Sequence, residues 1–358
     1  MKSSECRDWL LENGGPIIRY LTARERISSP IFAEDQLRDQ LMQSSAVRYW
    51  MGCLSGRTGF NDIHGSRDTC FENALGKLTL FGLRQGAGDF DQRCKPYLRL
   101  LEDRKNGLNV IQVFYRTIIA SLLAMAGYLS NASVRDWVEE RLDTVFTFVR
   151  RGDYSIFVDK AKFKGVPTAF RNYPLINPDL YMNGQFALPW IYDMFAFRVL
   201  LKHTQDRAVA NKIGKVISYI IDSRYQLFHD GYGIVVSGQN RYNVMGWNVW
   251  LPGYNGMHAD EFKMGCLVQR LELMSEFPNV LSSRWFVSNL NRLEEHSTSS
   301  GTYRFPKRYI KEKKNSYFVT GAHMGFGENR RQKLGYEIES SFWMLKVRRN
   351  AAVKEVEQ

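Results

Sequence analysis

Residues 110–126 read VIQVFYRTIIASLLAMA. They are followed by Gly127-Tyr128 and then by 133–149, SVRDWVEERLDTVFTFV, which closes on Gly152-Asp153-Tyr154. The first stretch is apolar nearly all round and predicts a buried helix; the second is apolar on one face and predicts a helix at the surface. A buried helix joined to a surface helix through a glycine turn, if repeated, describes a ring of inner and outer helices. The same unit recurs. Residues 180–201, aromatic and apolar with a kink expected at Pro189, pair with 207–228 before Asp230-Gly231-Tyr232-Gly233. Residues 259–277 pair with 283–295 before Gly301-Thr302-Tyr303-Arg304-Phe305, and 68–81 pair with 90–104. The pattern predicts an all-α fold with a few short strands in loops and one domain over 1–358. It places a helical lead-in at 1–30 and a disordered tail at 350–358. Loops gathered at one mouth of a ring are a natural place for a pocket.

A hydrophobic fraction of 44% with 13% aromatics supports a deep core. The longest apolar run, 118–126, is far shorter than the ~20 residues a bilayer requires. The first residues carry charge without an apolar segment. The reading is a soluble cytoplasmic protein with no membrane span. Cys6, Cys53, Cys70, Cys94 and Cys266 lack the close pairing of zinc or redox motifs, so buried reduced thiols are expected, with no metal and no cofactor. The net charge of +12 favours an anionic partner. Part of the excess lies in 307–314 and 346–349, as on an ordinary basic surface. No helix-turn-helix, zinc finger or ribonucleoprotein signature accompanies the charge, so the expected partner is a small molecule, apolar or anionic, and not nucleic acid.

Four groups of residues could carry chemistry. His64, Asp68 and Glu72 are four apart, so on a helix starting near Ser66 the two carboxylates would share a face with His64 just before it. That arrangement suits acid–base work; the alternative is a capping Asp68 with a structural Glu72. Asp179 and Tyr181, with Asn183, follow a proline-rich loop at 155–179 and precede Trp190, which would suit a sugar or a prenyl chain with a polar head. The alternative is helix capping by Asp179 and core packing by Tyr181. Tyr242, Asn243, Trp247 and Trp250, followed by His258, Asp260 and Glu261, offer aromatic walls for sugar rings or a carbocation, or else an internally packed loop. Finally, 321–331 read GAHMGFGENRR. Its glycines let backbone approach a ligand, with His323 and Glu328 beside it and Arg330 as an anion clamp. Glu337 and Glu339 follow, either at the ligand or as first-turn acids of the last helix. The expected catalytic set is His64, Asp68, Glu72, Asp179 and Tyr181. The expected binding set is Tyr242, Asn243, Trp247, Trp250, His258, His323, Glu328, Arg330 and Glu339.

Residues 9–22, WLLENGGPIIRYLT, resemble the opening of bacterial proteins related to terpenoid cyclases and protein prenyltransferases, and turns such as Gly127-Tyr128 resemble that family's repeat. The resemblance implies an α/α toroid and an apolar, isoprenoid-like ligand in an aromatic-lined central cavity. It does not extend to the family's catalytic motifs. Asp89-Phe90-Asp91 is the nearest approach to Asp-x-Asp-Asp, and Asp260 with Cys266 has no matching histidine for zinc. Two other functions fit the same ring: a carbohydrate-active toroid, lyase or hydrolase, acting on uronate-containing oligosaccharides, and a non-catalytic scaffold.

Overall fold

The computed structural model describes residues 3–24, 32–103, 107–182, 184–228, 231–238, 240–254 and 266–356. Helix dominates, with one small sheet. In chain order the helices begin with α1 (Ser3–Asn13), α2 (Pro16–Arg24), α3 (Phe32–Gln43), α4 (Ser45–Cys53), the single turn α5 (Phe60–Ile63), α6 (Phe71–Leu80) and α7 (Phe90–Glu102). Next come α8 (Val110–Met125), α9 (Ala132–Val149), α10 (Ile191–His203), α11 (Arg207–Ile220) and the short α12 (Ser223–Gln226). The chain ends with α13 (Leu267–Met274), the short α14 (Pro278–Leu281), α15 (Arg284–Glu294) and α16 (Lys333–Val356). By contacts the chain forms two compact units, one of residues 1–93 with 252–358, the other of 94–251.

The second unit contains the helix pair at which the sequence is most explicit. Asn109 caps α8: its side chain accepts from the Ile111 and Gln112 N–H groups, while the Gln112 side chain accepts from the Asn109 N–H. These reciprocal bonds satisfy donors that a helix start leaves bare. Gly127, at φ 95°, stops the helix in a conformation that costs glycine little. Asn131 then caps α9. Ile118, Ile119, Leu122 and Leu123 of α8 are all fully buried. Each contributes roughly 1.5–3 kcal/mol by leaving water. On α9, Val134, Val138, Leu142 and Val145 form a buried stripe, whereas Glu139, Glu140 and Asp143 are exposed. Buried α8 packs on both α9 and α10, and α9 packs on α11, whose own buried stripe is Ile213, Val216, Ile217 and Ile220.

The sheet also belongs to the second unit. β1 (Phe157–Val158) pairs antiparallel with β2 (Leu175–Ile176), which pairs parallel with β3 (Gly233–Gly238). β3 in turn forms an antiparallel hairpin with β4 (Arg241–Met245). Asn240, at φ 56°, takes the left-handed position that an asparagine side chain tolerates in a turn. The segment 155–179, read as a loop, thus contributes two short strands. Two-residue strands are too short for an alternating pattern to appear.

In the first unit, α6 is the buried helix, and Phe71 through Thr79 are buried without exception. It ends at Gly82, φ 92°, where the Leu83 N–H reaches back to the Leu78 carbonyl. The segment 310–330 is laid along it: the Phe318 N–H donates to Asn73 Oδ1 at 2.8 Å, and a β-carbon on Gly76 would lie 2.6 Å from the Phe318 ring. Gly76→Val is therefore expected to cost about 1–3 kcal/mol through overpacking. A lowered urea midpoint checks this; an unchanged one would contradict the contact. Helix α13 is likewise buried along its whole length, while α15 buries Trp285, Phe286, Asn289 and Leu293 and turns its remaining face outward. The last helix continues through Val356, where the sequence pattern suggests a disordered tail from 350.

Candidate functional site

His64 and Glu72 meet. The carboxylate Oε2 lies 2.5 Å from His64 Nδ1, Glu72 is fully buried, and its other oxygen, Oε1, has no hydrogen-bond partner among the described residues. Where the carboxylate accepts from Nδ1–H, the imidazole's lone pair is left on Nε2. The Tyr317 ring lies beside the imidazole, centroids 5.2 Å apart. Burial, and then the Glu72 charge, push the Tyr317 phenol above its ordinary range.

Asp68 does not share a helix face with Glu72, because α6 begins only at Phe71 and Asp68 lies in the turn before it. Asp68 is nonetheless buried. Its Oδ2 accepts from the Tyr49 hydroxyl at 2.8 Å and its Oδ1 from the Asn315 N–H at 2.7 Å. It holds the turn at 315 instead of capping α6.

One turn further along α6, Lys77 is buried to 1% exposure and donates to Glu312 Oε2 at 2.8 Å and to the carbonyls of His323 and Gly325 at 3.0 and 2.6 Å. His323 is itself buried. Its Nε2 donates to the Ser316 carbonyl at 2.7 Å, which leaves Nδ1 as a buried acceptor with no partner among the described residues. Burial pushes this imidazole below the usual histidine range. Glu339, fully buried, accepts from Arg330 Nε at 2.5 Å and from the Phe326 N–H at 2.6 Å. Arg330 Nη1 donates to the Ile310 carbonyl at 2.6 Å. The expected anion clamp is thus bound to the protein's own carboxylate, and Glu339 is its internal counterion. Glu337 accepts from the Thr302 hydroxyl at 2.5 Å.

Glu328 accepts the Gly15 N–H at 2.7 Å, in the turn between α1 and α2. Burial raises its carboxyl from 4.5 to about 7; the Gly15 N–H pulls the other way and the Glu339 charge adds to the rise. A carboxyl that holds its proton more tightly when folded stabilises the folded state at low pH. That contribution is complete below about 4.5 and is lost as pH rises through about 7. Glu328→Gln should remove this loss. Denaturation curves at several pH values across that window check it, and a slope unaltered by the substitution would contradict it.

In the second unit, Asp179 lies in a single 3-10 turn at Pro178–Leu180, capped by Asn177, and α10 starts only at Ile191. Asp179 is exposed and Tyr181 is buried, its hydroxyl accepting from the Val236 N–H at 2.9 Å. Both line an open cleft of about 500 Å³ together with Glu140, Asp143, Thr144 and Gln185. Tyr242 donates to the Lys164 carbonyl and Asn243 to the Ser237 hydroxyl, so both brace the hairpin. Trp247 and Trp250 are half-buried. Trp247 adopts φ 69°, a strained position for a bulky residue, and its carbonyl accepts from the Ile191 N–H at the start of α10. His258, Asp260 and Glu261 lie outside the described residues, as do Asn183 and Asp230.

Sequence reasoning missed Tyr49, Lys77, Glu312 and Tyr317 in the first unit and Arg141 with Asp193 in the second. A signal existed for three of them: Lys77, Arg141 and Asp193 are charges set among buried positions of helices, which is costly without a partner. Tyr49 and Glu312 become notable only through contacts distant in sequence. Among the described residues, no cluster of three or more His, Cys, Asp or Glu side chains could hold a metal ion, and no helix is long and apolar enough to cross a membrane. Comparison with known proteins finds no matching family model, curated protein or solved structure.

Proposed function

We propose that the chain is an acid–base enzyme built on an α/α toroid, and that His64 moves the proton on a carboxylate-bearing saccharide. The observation that carries this reading is the fully buried Glu72 holding His64 Nδ1 at 2.5 Å. A buried carboxylate oriented on an imidazole fixes its tautomer and stabilises the imidazolium that forms when it takes a proton. Tyr317, beside the ring, supplies a phenol. In a lyase reaction His64 removes the proton next to the substrate carboxylate, and the electron pair forms a C=C bond. The adjacent C–O bond breaks, and the phenol gives its proton to the departing oxygen. Supporting the ring is the alternation within each unit, with α8 and the first two turns of α10, or α6 and α13, largely buried and α9, α11 and α15 exposing a face. Supporting an anionic substrate is the net charge of +12.

A second reading, the isoprenoid-like ligand that the resemblance implies, is favoured by Trp247, a half-buried aromatic held in a strained backbone. One experiment separates them. Uronate oligosaccharides incubated with the protein should gain the ultraviolet absorbance of a conjugated double bond. Saccharides left intact, with a polyprenyl diphosphate retained in native mass spectrometry, would replace the first reading by the second. Neither outcome would leave a scaffold.

A further inference from the structure

The space between α9 and α11 is an open groove of about 640 Å³ in the second unit. Its volume falls within the roughly 300–1,000 Å³ usual for small-molecule sites. Ala208 lies at one end, and beside Gly152 there is open space, where an added β-carbon would meet nothing within 4 Å. Its apolar wall is Phe146, Val149 and Tyr219. Tyr154, also lining the groove, stacks on Tyr219 with centroids 4.4 Å apart and carries the Arg224 guanidinium 4.2 Å from its ring centre. Arg224 also binds Asp222 at 2.7 Å, which neutralises the acid of the groove and holds its carboxyl low, at about 2.

The charge that remains is positive. Arg150, Lys212 and Lys215 line the groove. Lys212 pairs with Asp143 at 2.5 Å, whereas Arg150 and Lys215, both exposed, form no ion pair among the described residues. Along α11 the lining runs from Ala208 to Tyr219, about 16 Å at the helical rise. An elongated apolar wall beside unpaired cations matches a molecule with an anionic head and an apolar chain. Water-soluble polar anions would leave the wall unused, and neutral lipids would leave the cations unused.

We infer that the α9–α11 groove binds an amphiphilic anion, its carboxylate or phosphate head at Arg150 and Lys215 and its chain against Phe146, Val149 and Tyr219. The inference does not depend on His64 or on the reaction proposed above. Calorimetric titration of the full chain with laurate, dodecyl phosphate and neutral dodecyl maltoside, each below its micelle concentration, tests it. Saturable binding of laurate, dodecyl phosphate or both is expected, and the preferred one identifies the head group. Charge reversal at two exposed positions, Arg150→Glu with Lys215→Glu, should weaken that binding about tenfold. Ala208→Trp, at an exposed position where the fold has no need of alanine, should block it. No saturable binding, equal binding of the neutral maltoside, or binding indifferent to both variants would overturn the inference.

Discussion

Replacing Arg141 by methionine is expected to lower the stability of the protein by about 3–5 kcal/mol, because it strands a buried charge. Asp193 is 1% exposed. Its Oδ1 accepts from Arg141 Nε at 3.1 Å, and its Oδ2 from Arg141 Nη2 at 2.7 Å and from the Trp190 N–H at 2.8 Å. The guanidinium also donates to the carbonyls of Phe186 and Leu188 and lies 4.7 Å from the centre of the Trp190 ring. One arginine therefore neutralises the acid, closes the loop that enters α10 and fixes the aromatic stack of Phe186 on Trp190, centroids 4.4 Å apart. Methionine keeps much of the volume and none of the donors. Combining Arg141→Met with Asp193→Asn should recover part of the loss, since the stranded charge is then gone while an acceptor for the Trp190 N–H is kept. Denaturant unfolding of the two variants measures both effects. A single variant within about 1 kcal/mol of the unaltered protein would show that the pair contributes no more than an exposed one.

Glu72→Gln is expected to reduce turnover by about 10²–10⁴-fold while the fold persists. The amide has the size of the carboxylate, and Oε1 of Glu72 makes no hydrogen bond among the described residues that the change would break. What the amide lacks is the charge that holds the proton on Nδ1 and balances an imidazolium. The loss should fall on kcat, with KM nearly unchanged, because the interaction strengthens as His64 takes the proton. Steady-state kinetics on an uronate oligosaccharide, with a far-ultraviolet circular dichroism spectrum to confirm folding, measures it. Equal loss in KM would mean that Glu72 holds substrate instead of histidine.

Much of the helical framework was legible in the sequence, and the reasons are local. The run at 110–126 and its partner at 133–149 appear within a residue or two of α8 and α9, because long periodic patterns closed by Asn and Gly leave few alternatives. By contrast, the apolar run from 180 becomes helical only at Ile191, since Pro178–Leu180 form a 3-10 turn and residues 184–189 are irregular chain with bends. Short strands at 157–158 and 175–176 carry no periodic signal at all. In the candidate site, His64 and Glu72 were named together for a helical spacing that the structure does not use: His64 ends α5, and Glu72 reaches it from the first turn of α6. Asp68, grouped with them, is held by Tyr49 and Asn315. Arg330, expected to meet a ligand, is bound through Nε to a buried glutamate nine residues later, while its buried Nη2 has no partner among the described residues.

The pairing of His64 with Glu72 is most directly tested by nitrogen-15 and proton magnetic resonance of the His64 imidazole. The account predicts a proton resident on Nδ1, giving a low-field resonance that is lost in Glu72→Gln without loss of the other imidazole signals. A proton found on Nε2 in the unaltered protein, or a His64 spectrum indifferent to Glu72→Gln, would contradict it.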